Sequence, residues 1–335
     1  MWPIDLGVEV IGHLRERSVL RRILLLLLLV RASAQNQPAP APTPNPKQQV
    51  LWEKLAVSIG EIDRGLDGVL GIAIKDLTTD QTFFLRAEQV FPQASSIKIA
   101  VLAELYHQSQ LASQGHSEDA KLTDGYTFET SDLVPDSDIL QGLTPGVTRL
   151  TNRDLATMMV AVSDNSATNV LIDRLGMEKV NALMDSLGLV HTRLRRKMMD
   201  LRAAREGREN LSTPREMMSL LESLYRGKVL NKALTDDFFK VLSTHKASYI
   251  PRDLPADVES ANKPGELEGV RNDCGIVFVP NRPYAICVMT TYLTNERAGE
   301  EAISKISVAA YRMFSRFGRA SEYGRVVSPA NSSPP

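Results

Sequence analysis

The sequence predicts an α+β fold, with an antiparallel sheet built from both ends of the chain and a lobe of helices between them. Three observations carry that reading. Runs with strand-like alternation lie early in the chain, at residues 68–77 and 82–85, and again late, at 269–279 and 284–292. Segments of helical period fill the middle. Strands and helices do not alternate, which argues against a parallel α/β sheet. With 335 residues, 43% hydrophobic and 24% charged, the chain can bury a sizeable core. A formal net charge of −1 gives no support to nucleic-acid binding.

Residues 1–34 read as an export signal. Arg15, Arg17, Arg21 and Arg22 precede the apolar run Ile23 to Val30, and Ala32-Ser33-Ala34 supplies small residues for cleavage before Gln35. The run is too short to span a bilayer, and no cysteine follows it to carry a lipid. The mature chain is therefore expected to be secreted or periplasmic, without a membrane anchor. Residues 35–47, with Pro38, Pro40, Pro42, Pro44 and Pro46, read as an extended linker. Residues 48–318 form the expected folded domain, and 319–335 a loose polar tail.

Within the domain, residues 48–62 carry Leu51, Leu55, Val57 and Ile59 at helical spacing. A hairpin follows, turning at Thr78-Thr79-Asp80-Gln81. After the apolar run that begins near Phe91, residues 111–146 show little periodicity. Thr151 with Asp154 is a helix start, and Ser163-Asp164-Asn165 interrupts that helix with residues that favour caps and turns. Further helices are expected before Gly176 and over 177–187. The basic stretch 193–210 reads as a surface loop. Thr213-Pro214-Arg215-Glu216 combines a cap, a proline at the first helical position and a capping-box glutamate. Residues 230–244 are helical, and 295–317 form a closing amphipathic helix. The two cysteines, Cys274 and Cys287, fall in strands flanking Pro280-Asn281-Arg282-Pro283. That turn sets them on one side but diagonally, so buried free thiols are expected.

The chemistry centres on Phe91-Pro92-Gln93-Ala94-Ser95-Ser96-Ile97-Lys98. The helix after Ser95 is apolar nearly all round and belongs inside the domain. Lys98, one turn on, shares a face with Ser95. An ammonium in apolar surroundings loses its proton readily, and the N–H of Ser95 is an unpaired donor at a helix start. Those are the requirements of an activated serine with an oxyanion site. The spacing S-x-x-K recurs at Ser243-Thr244-His245-Lys246, in a polar stretch, and is read there as accidental. The five histidines are scattered, and no metal site or cofactor is expected.

Two later motifs complete a set: Ser163-Asp164-Asn165, and Lys263-Pro264-Gly265 immediately before a strand. Together with Ser95-x-x-Lys98 they make this chain resemble the class A β-lactamases and the wider penicillin-recognising serine hydrolases. The resemblance implies a β-lactamase/transpeptidase-like fold of two lobes with the site in the cleft between them. It implies Ser95 as acylated nucleophile, Lys98 as base or relay, and Ser163 as proton donor to the leaving nitrogen. Asp164 would shape its loop, and Asn165 and Gly265 would bind substrate. Lys263 would add positive charge, the N–H groups of Ser95 and Glu266 would form the oxyanion hole, and Arg271 would meet the substrate carboxylate.

The pattern breaks twice. Where the family carries a glutamate that activates the deacylating water, this chain has Met198, with Arg202 at the position of the family's asparagine. A thioether takes no proton from water. Asp200 and Glu209 are the candidates to replace that base, against the plainer reading of solvated carboxylates among arginines. Pro264 stands where the family has a hydroxyl residue and removes two donors. The reading that leads is a secreted, monomeric serine hydrolase opening β-lactams through an acyl-enzyme, with slow release. Its alternatives are a cell-wall peptidase or esterase, and a penicillin-binding module that acylates and stops.

Overall fold

The computed structural model describes residues 45–326. The expected signal, residues 35–44 of the expected linker and the last nine residues of the tail lie outside them. The chain begins with helix α1 (Pro46–Gly65) and the hairpin of β1 (Val69–Asp76) and β2 (Thr82–Leu85). Strand β3 (Phe91–Pro92) and a 3₁₀ turn (Ala94–Ile97) lead into α2 (Lys98–Ser113). Next come β4 (Gly125–Thr127), β5 (Arg149–Thr151), α3 (Asn152–Ala161), α4 (Asn165–Leu175) and α5 (Met177–Ser186). A short α6 (Leu201–Arg205) and β6 (Leu211–Ser212) precede α7 (Pro214–Tyr225) and α8 (Lys232–Leu242). Strands β7 (Ser260–Leu267), β8 (Val270–Val277) and β9 (Tyr284–Thr291) return the chain to the sheet, and α9 (Glu296–Arg319) closes it.

The main sheet has the order β2-β1-β9-β8-β7, every neighbour antiparallel. Early and late strands meet directly, Val69 opposite Thr291 and Asp76 opposite Tyr284. Alternation along the strands gives each face its own core. Leu70, Ile72, Ile74 and Val288 pack under Trp52, Ile59, Ile306 and Phe314 of α1 and α9. Ala73, Ile276 and Met289 face the helical lobe. Helix α2 runs through the middle of that lobe against α3, α4, α5 and α8. Its residues from Lys98 to Leu105 are all buried, as an apolar run without a polar face requires.

Several expectations are corrected. Pro46 and Lys47 belong to α1, where proline suits the first helical position. Lys263-Pro264-Gly265 lies inside β7 and not before a strand. Because β7 is at the sheet edge, Pro264 costs no ladder bond on an inner strand. The stretch 193–210 is not a simple surface loop: Leu194, Arg196, Met198 and Ala203 are buried, and Arg193 bridges to Leu211. Thr213 caps α7 as expected, but the Glu216 carboxylate takes the N–H of His191 at 2.9 Å and the Thr192 hydroxyl at 2.7 Å. Strands β4 and β5 are too short to carry a period.

Cys274 and Cys287 are joined as a disulfide, their Cα atoms 4.0 Å apart. The register makes them direct cross-strand partners and not the diagonal pair expected, because the β8–β9 connection spans residues 278–283.

Asp76 ties the two hairpins together. Fully buried, it accepts bonds from Thr78 N–H (2.8 Å), Thr79 Oγ1 (2.8 Å) and Arg282 Nε (2.9 Å). Arg282 also lies over the Phe317 ring. Removing the cation leaves a buried carboxylate short of a partner, so Arg282→Ala is expected to lower urea-unfolding stability by about 3 kcal/mol. A change within experimental error would show that the threonine donors suffice.

Candidate active site

Ser95 stands in a turn clamped from both sides. Strand β3 pairs with β6, and the Gln93 N–H reaches the Asn210 carbonyl at 2.8 Å. Ala94, with φ +48°, redirects the chain in a region that side chains rarely adopt. Regular α-helix starts only at Lys98, one 3₁₀ turn later than the sequence suggests. Residues three apart in a 3₁₀ turn eclipse, so Ser95 and Lys98 still share a face.

The Lys98 amine is fully buried. It donates to the Ser163 carbonyl (2.6 Å), Ser163 Oγ (3.0 Å) and Asn165 Oδ1 (2.9 Å). Lys263, also buried, reaches Ser163 Oγ at 3.1 Å and the Pro264 carbonyl at 3.1 Å. One hydroxyl therefore sits between two amines from opposite lobes. Burial pushes the Lys98 pKa well below the ordinary lysine range, and the charge of Lys263 adds to the effect. Burial, then the nearby Lys246, brings Lys263 down to about 7.

Ser163 is presented by the break between α3 and α4. Its φ of +58° ends α3 in the left-handed manner usual for glycine. Buried Asp164 then caps α4 through the Ala167 N–H at 2.9 Å and holds the Leu140 N–H at 3.0 Å. The cap and the loop in front of the cleft share one carboxylate.

Strand β7 lies directly on the Ser95 turn, and Gly265 makes this possible. A Cβ there would stand 2.7 Å from the Gln93 carbonyl oxygen and 2.9 Å from the Ser96 nitrogen. This approach brings the backbone of Glu266 to the cleft, while its exposed carboxylate accepts the Tyr249 hydroxyl at 2.5 Å. Ser95, Ser163, Asn165, Lys263, Glu266 and Met198 line one cleft of about 590 Å³.

Arg271 is not brought to it. Its guanidinium holds Glu300 at 3.0 Å and the Leu267 and Val270 carbonyls at 2.9 and 2.8 Å. Lys246, from the motif read as accidental, lines the cleft instead, together with Lys263 and with Arg196, which is paired with Glu209. Burial brings the Lys246 pKa down to about 8. No local pattern marks it: the next turn of chain is held by Asp273, which receives the N–H groups of Tyr249 (3.0 Å) and Ile250 (2.9 Å). Asp273 also holds Asn262, beside Lys263, at 2.8 Å, and burial raises its own pKa to about 6.

In the 193–210 loop, Asn169 clasps the backbone of Met198 from both sides, donating to its carbonyl at 3.0 Å and accepting its N–H at 2.8 Å. Asp200 caps α6 through the Ala203 N–H at 2.9 Å, and Glu209 is paired with Arg196 at 2.8 Å. Arg202 pairs with Glu206 at the surface. Neither carboxylate lines the cleft. Among the described residues, His116, Glu118 and Asp119 have metal-like spacing, but Asp119 already holds Lys179 at 2.7 Å.

A family model described as the β-lactamase enzyme family matches residues 54–314. β-Lactamase SME-1 of Serratia marcescens is 28% identical over 271 residues, covering 77% of this chain and 87% of that protein. β-Lactamase AST-1 of Nocardia asteroides is 30% identical, covering 70% and 75%. The crystal structure of a β-lactamase from Sphaerobacter thermophilus superposes with a TM-score of 0.70 at 30% identity, covering 78% of this chain and 97% of that one. A mutant of PBP-A, solved as an acyl-enzyme complex with penicillin G, gives 0.70 at 25% identity, covering 79% and 97%.

Gly265→Ala should separate β7 from the Ser95 turn. The expected cost is about 1–3 kcal/mol in urea unfolding. An unchanged stability would show that the strand has room to shift.

Proposed function

The chain belongs to the class A β-lactamase and penicillin-recognising serine hydrolase family, and on that premise we propose that it opens β-lactam rings through an acyl-enzyme on Ser95 and releases the product slowly. The observation that carries this reading is the hydroxyl of Ser163 shared by two buried amines beside Ser95, with Met198 in place of a base.

In the proposed reaction, Ser95 Oγ attacks the ring carbonyl and its proton passes to the Lys98 amine, which depressed basicity keeps available as an acceptor. The N–H groups of Ser95 and Glu266 stabilise the oxyanion. As the ring C–N bond breaks, Ser163 gives its proton to the nitrogen and recovers one from Lys98, 3.0 Å away. Asn165 and the backbone at Gly265 hold the acyl amide. Lys263 and Lys246, in the role first expected of Arg271, meet the carboxylate.

Release needs a base for water. With a thioether at Met198, and Asp200 and Glu209 engaged elsewhere, that step lacks a catalyst. The same observation favours a second reading, a penicillin-binding module that acylates and holds. The segment 1–34 supports export, and action as a secreted or periplasmic monomer is part of the proposal.

Mixing the protein with a chromogenic β-lactam while following product and intact mass tests these readings. A burst with a mass adduct absent in Ser95→Ala, followed by slow turnover, is expected. A stable adduct without turnover selects the binding module. Absence of any adduct, with Ser95-dependent cleavage of a peptide or ester, would replace both readings by a peptidase or esterase.

Met198→Glu is expected to speed loss of the adduct by roughly 10²-fold or more, the usual contribution of a general base. An unaltered rate would locate the base elsewhere.

The lysines set a pH dependence. Both are cationic below about 7, and charge is lost as pH rises through about 7 at Lys263 and about 8 at Lys246. Acylation by a limiting concentration of a penicillin should therefore fall several-fold from pH 6.5 to 8.5. Lys246→Arg, which stays charged, should keep more of the rate at the upper end. A flat profile in the unaltered protein would contradict the assignment of these cations.

A further inference from the structure

We propose that a second cavity, lined by Tyr225, Phe239, Phe278, Lys240, Glu259 and Ser243, is a binding site for a small zwitterionic ammonium compound. It shares no lining residue with the Ser95 cleft, so the inference does not depend on acylation. The cavity holds about 320 Å³, enough for a ligand of metabolite size.

Its aromatic floor is assembled from three parts of the chain. Tyr225 ends α7, Phe239 lies on α8, and Phe278 follows β8. The ring centroids stand 6.2 Å apart for Tyr225 and Phe239, 6.0 Å for Phe239 and Phe278, and 6.5 Å for Tyr225 and Phe278, so the floor is continuous. Phe239 is fixed further by an edge contact with Phe238 at 5.2 Å. Aromatic faces carry negative potential and attract cations. Among the described residues, arginines lie over Tyr126, Phe84 and Phe317 in this way, and no cation lies over the three rings of the floor.

Charges of both signs stand at the rim. Lys240 on α8 and Glu259, the residue before β7, are exposed, and neither side chain joins an ion pair among the described residues. The Phe278 N–H holds the Glu259 carbonyl at 3.0 Å, which keeps the acid beside the floor. Neighbouring carboxylates are engaged: Asp236 with Lys232 at 2.7 Å, and Asp237 with Arg153 and with the Tyr106 hydroxyl at 2.6 Å. The Ser243 hydroxyl is shielded from solvent and has no hydrogen-bond partner among the described residues, a condition that calls for a group to bond it. Ser243 belongs to the S-x-x-K spacing that the chemistry at Ser95 leaves unused.

A plain cation is repelled by Lys240 and a plain anion by Glu259. A compound with an ammonium at one end and a carboxylate at the other suits both. Its ammonium lies on the aromatic floor beside Glu259, and its carboxylate accepts from Lys240 and from Ser243 Oγ.

The test titrates the protein with 4-(trimethylammonio)butanoate, followed by NMR, and a Kd of about 10 mM or tighter is expected. Its carbon isostere 5,5-dimethylhexanoate, which lacks the positive charge, should bind at least about fivefold more weakly. Butyltrimethylammonium, which lacks the carboxylate, should bind about threefold more weakly. Glu259→Gln, at an exposed position, should weaken the zwitterion about threefold, and Phe278→Leu at least about fivefold. Lys240→Gln should weaken the zwitterion while sparing butyltrimethylammonium, and Lys246→Ala, in the other cleft, should leave binding of the zwitterion unchanged. Absence of binding up to about 50 mM overturns the inference. Equal affinity for the zwitterion and its carbon isostere overturns it too, because the floor then recognises only hydrocarbon. Binding lost in Lys246→Ala and kept in Glu259→Gln also overturns it, since the ligand then occupies the Ser95 cleft.

Discussion

Two buried amines meet at one hydroxyl, and most of the cleft exists to permit that. Lys98 comes from the central helix of one lobe and Lys263 from the edge strand of the other, and both reach Ser163 Oγ. In a low-dielectric interior two ammonium groups at this spacing repel strongly. Both have lost basicity, Lys98 through burial and the charge of Lys263, and Lys263 through burial and the nearby Lys246. Everything that shapes the site serves this meeting: the left-handed Ser163, the Asp164 cap, and the glycine that lets β7 lie against the Ser95 turn.

Strain and small residues fall at the junctions where the lobes touch. Ala94 and Ser163 both take positive φ without being glycine. Each costs backbone energy that the surrounding bonds must offset. Around Ala94 these are the Gln93–Asn210 contact and the Ser96 hydroxyl on the Gln93 carbonyl at 2.6 Å. Around Ser163 they are the bonds to both lysines. Rigid placement of the hydroxyls is thereby built into the fold before any substrate arrives.

The sequence disclosed what local chemistry determines. An apolar run after Ser95, a Thr151–Asp154 cap and the early and late hairpins each obey short-range rules, and the structure has all of them. It concealed what depends on distant partners. Lys246 enters the cleft because Asp273, 24 residues beyond Tyr249, receives the chain there. Arg271 turns away because Glu300 on the last helix and two carbonyls claim it. Strand β7 was hidden by Pro264 and Gly265, residues that read as a turn and are tolerated at an edge. The direct pairing of Cys274 with Cys287 follows from register, which a loop length alone does not fix.

The 193–210 loop separates scaffold from chemistry. Its backbone is pinned without any acidic side chain at position 198. Asn169 holds Met198, and Asn210 accepts the N–H groups of Arg195 and Arg196 at 2.7 and 3.0 Å. The Arg196–Glu209 pair neutralises charge that would otherwise stand near the cleft. Met199 and Leu201 flank Met198 and line the same cleft. These neighbours are apolar, as is the side chain at 198. The clasp on Met198 and the meeting of the lysines at Ser163 thus rest on separate sets of bonds, and the loop is pinned through backbone groups and not through the side chain at 198.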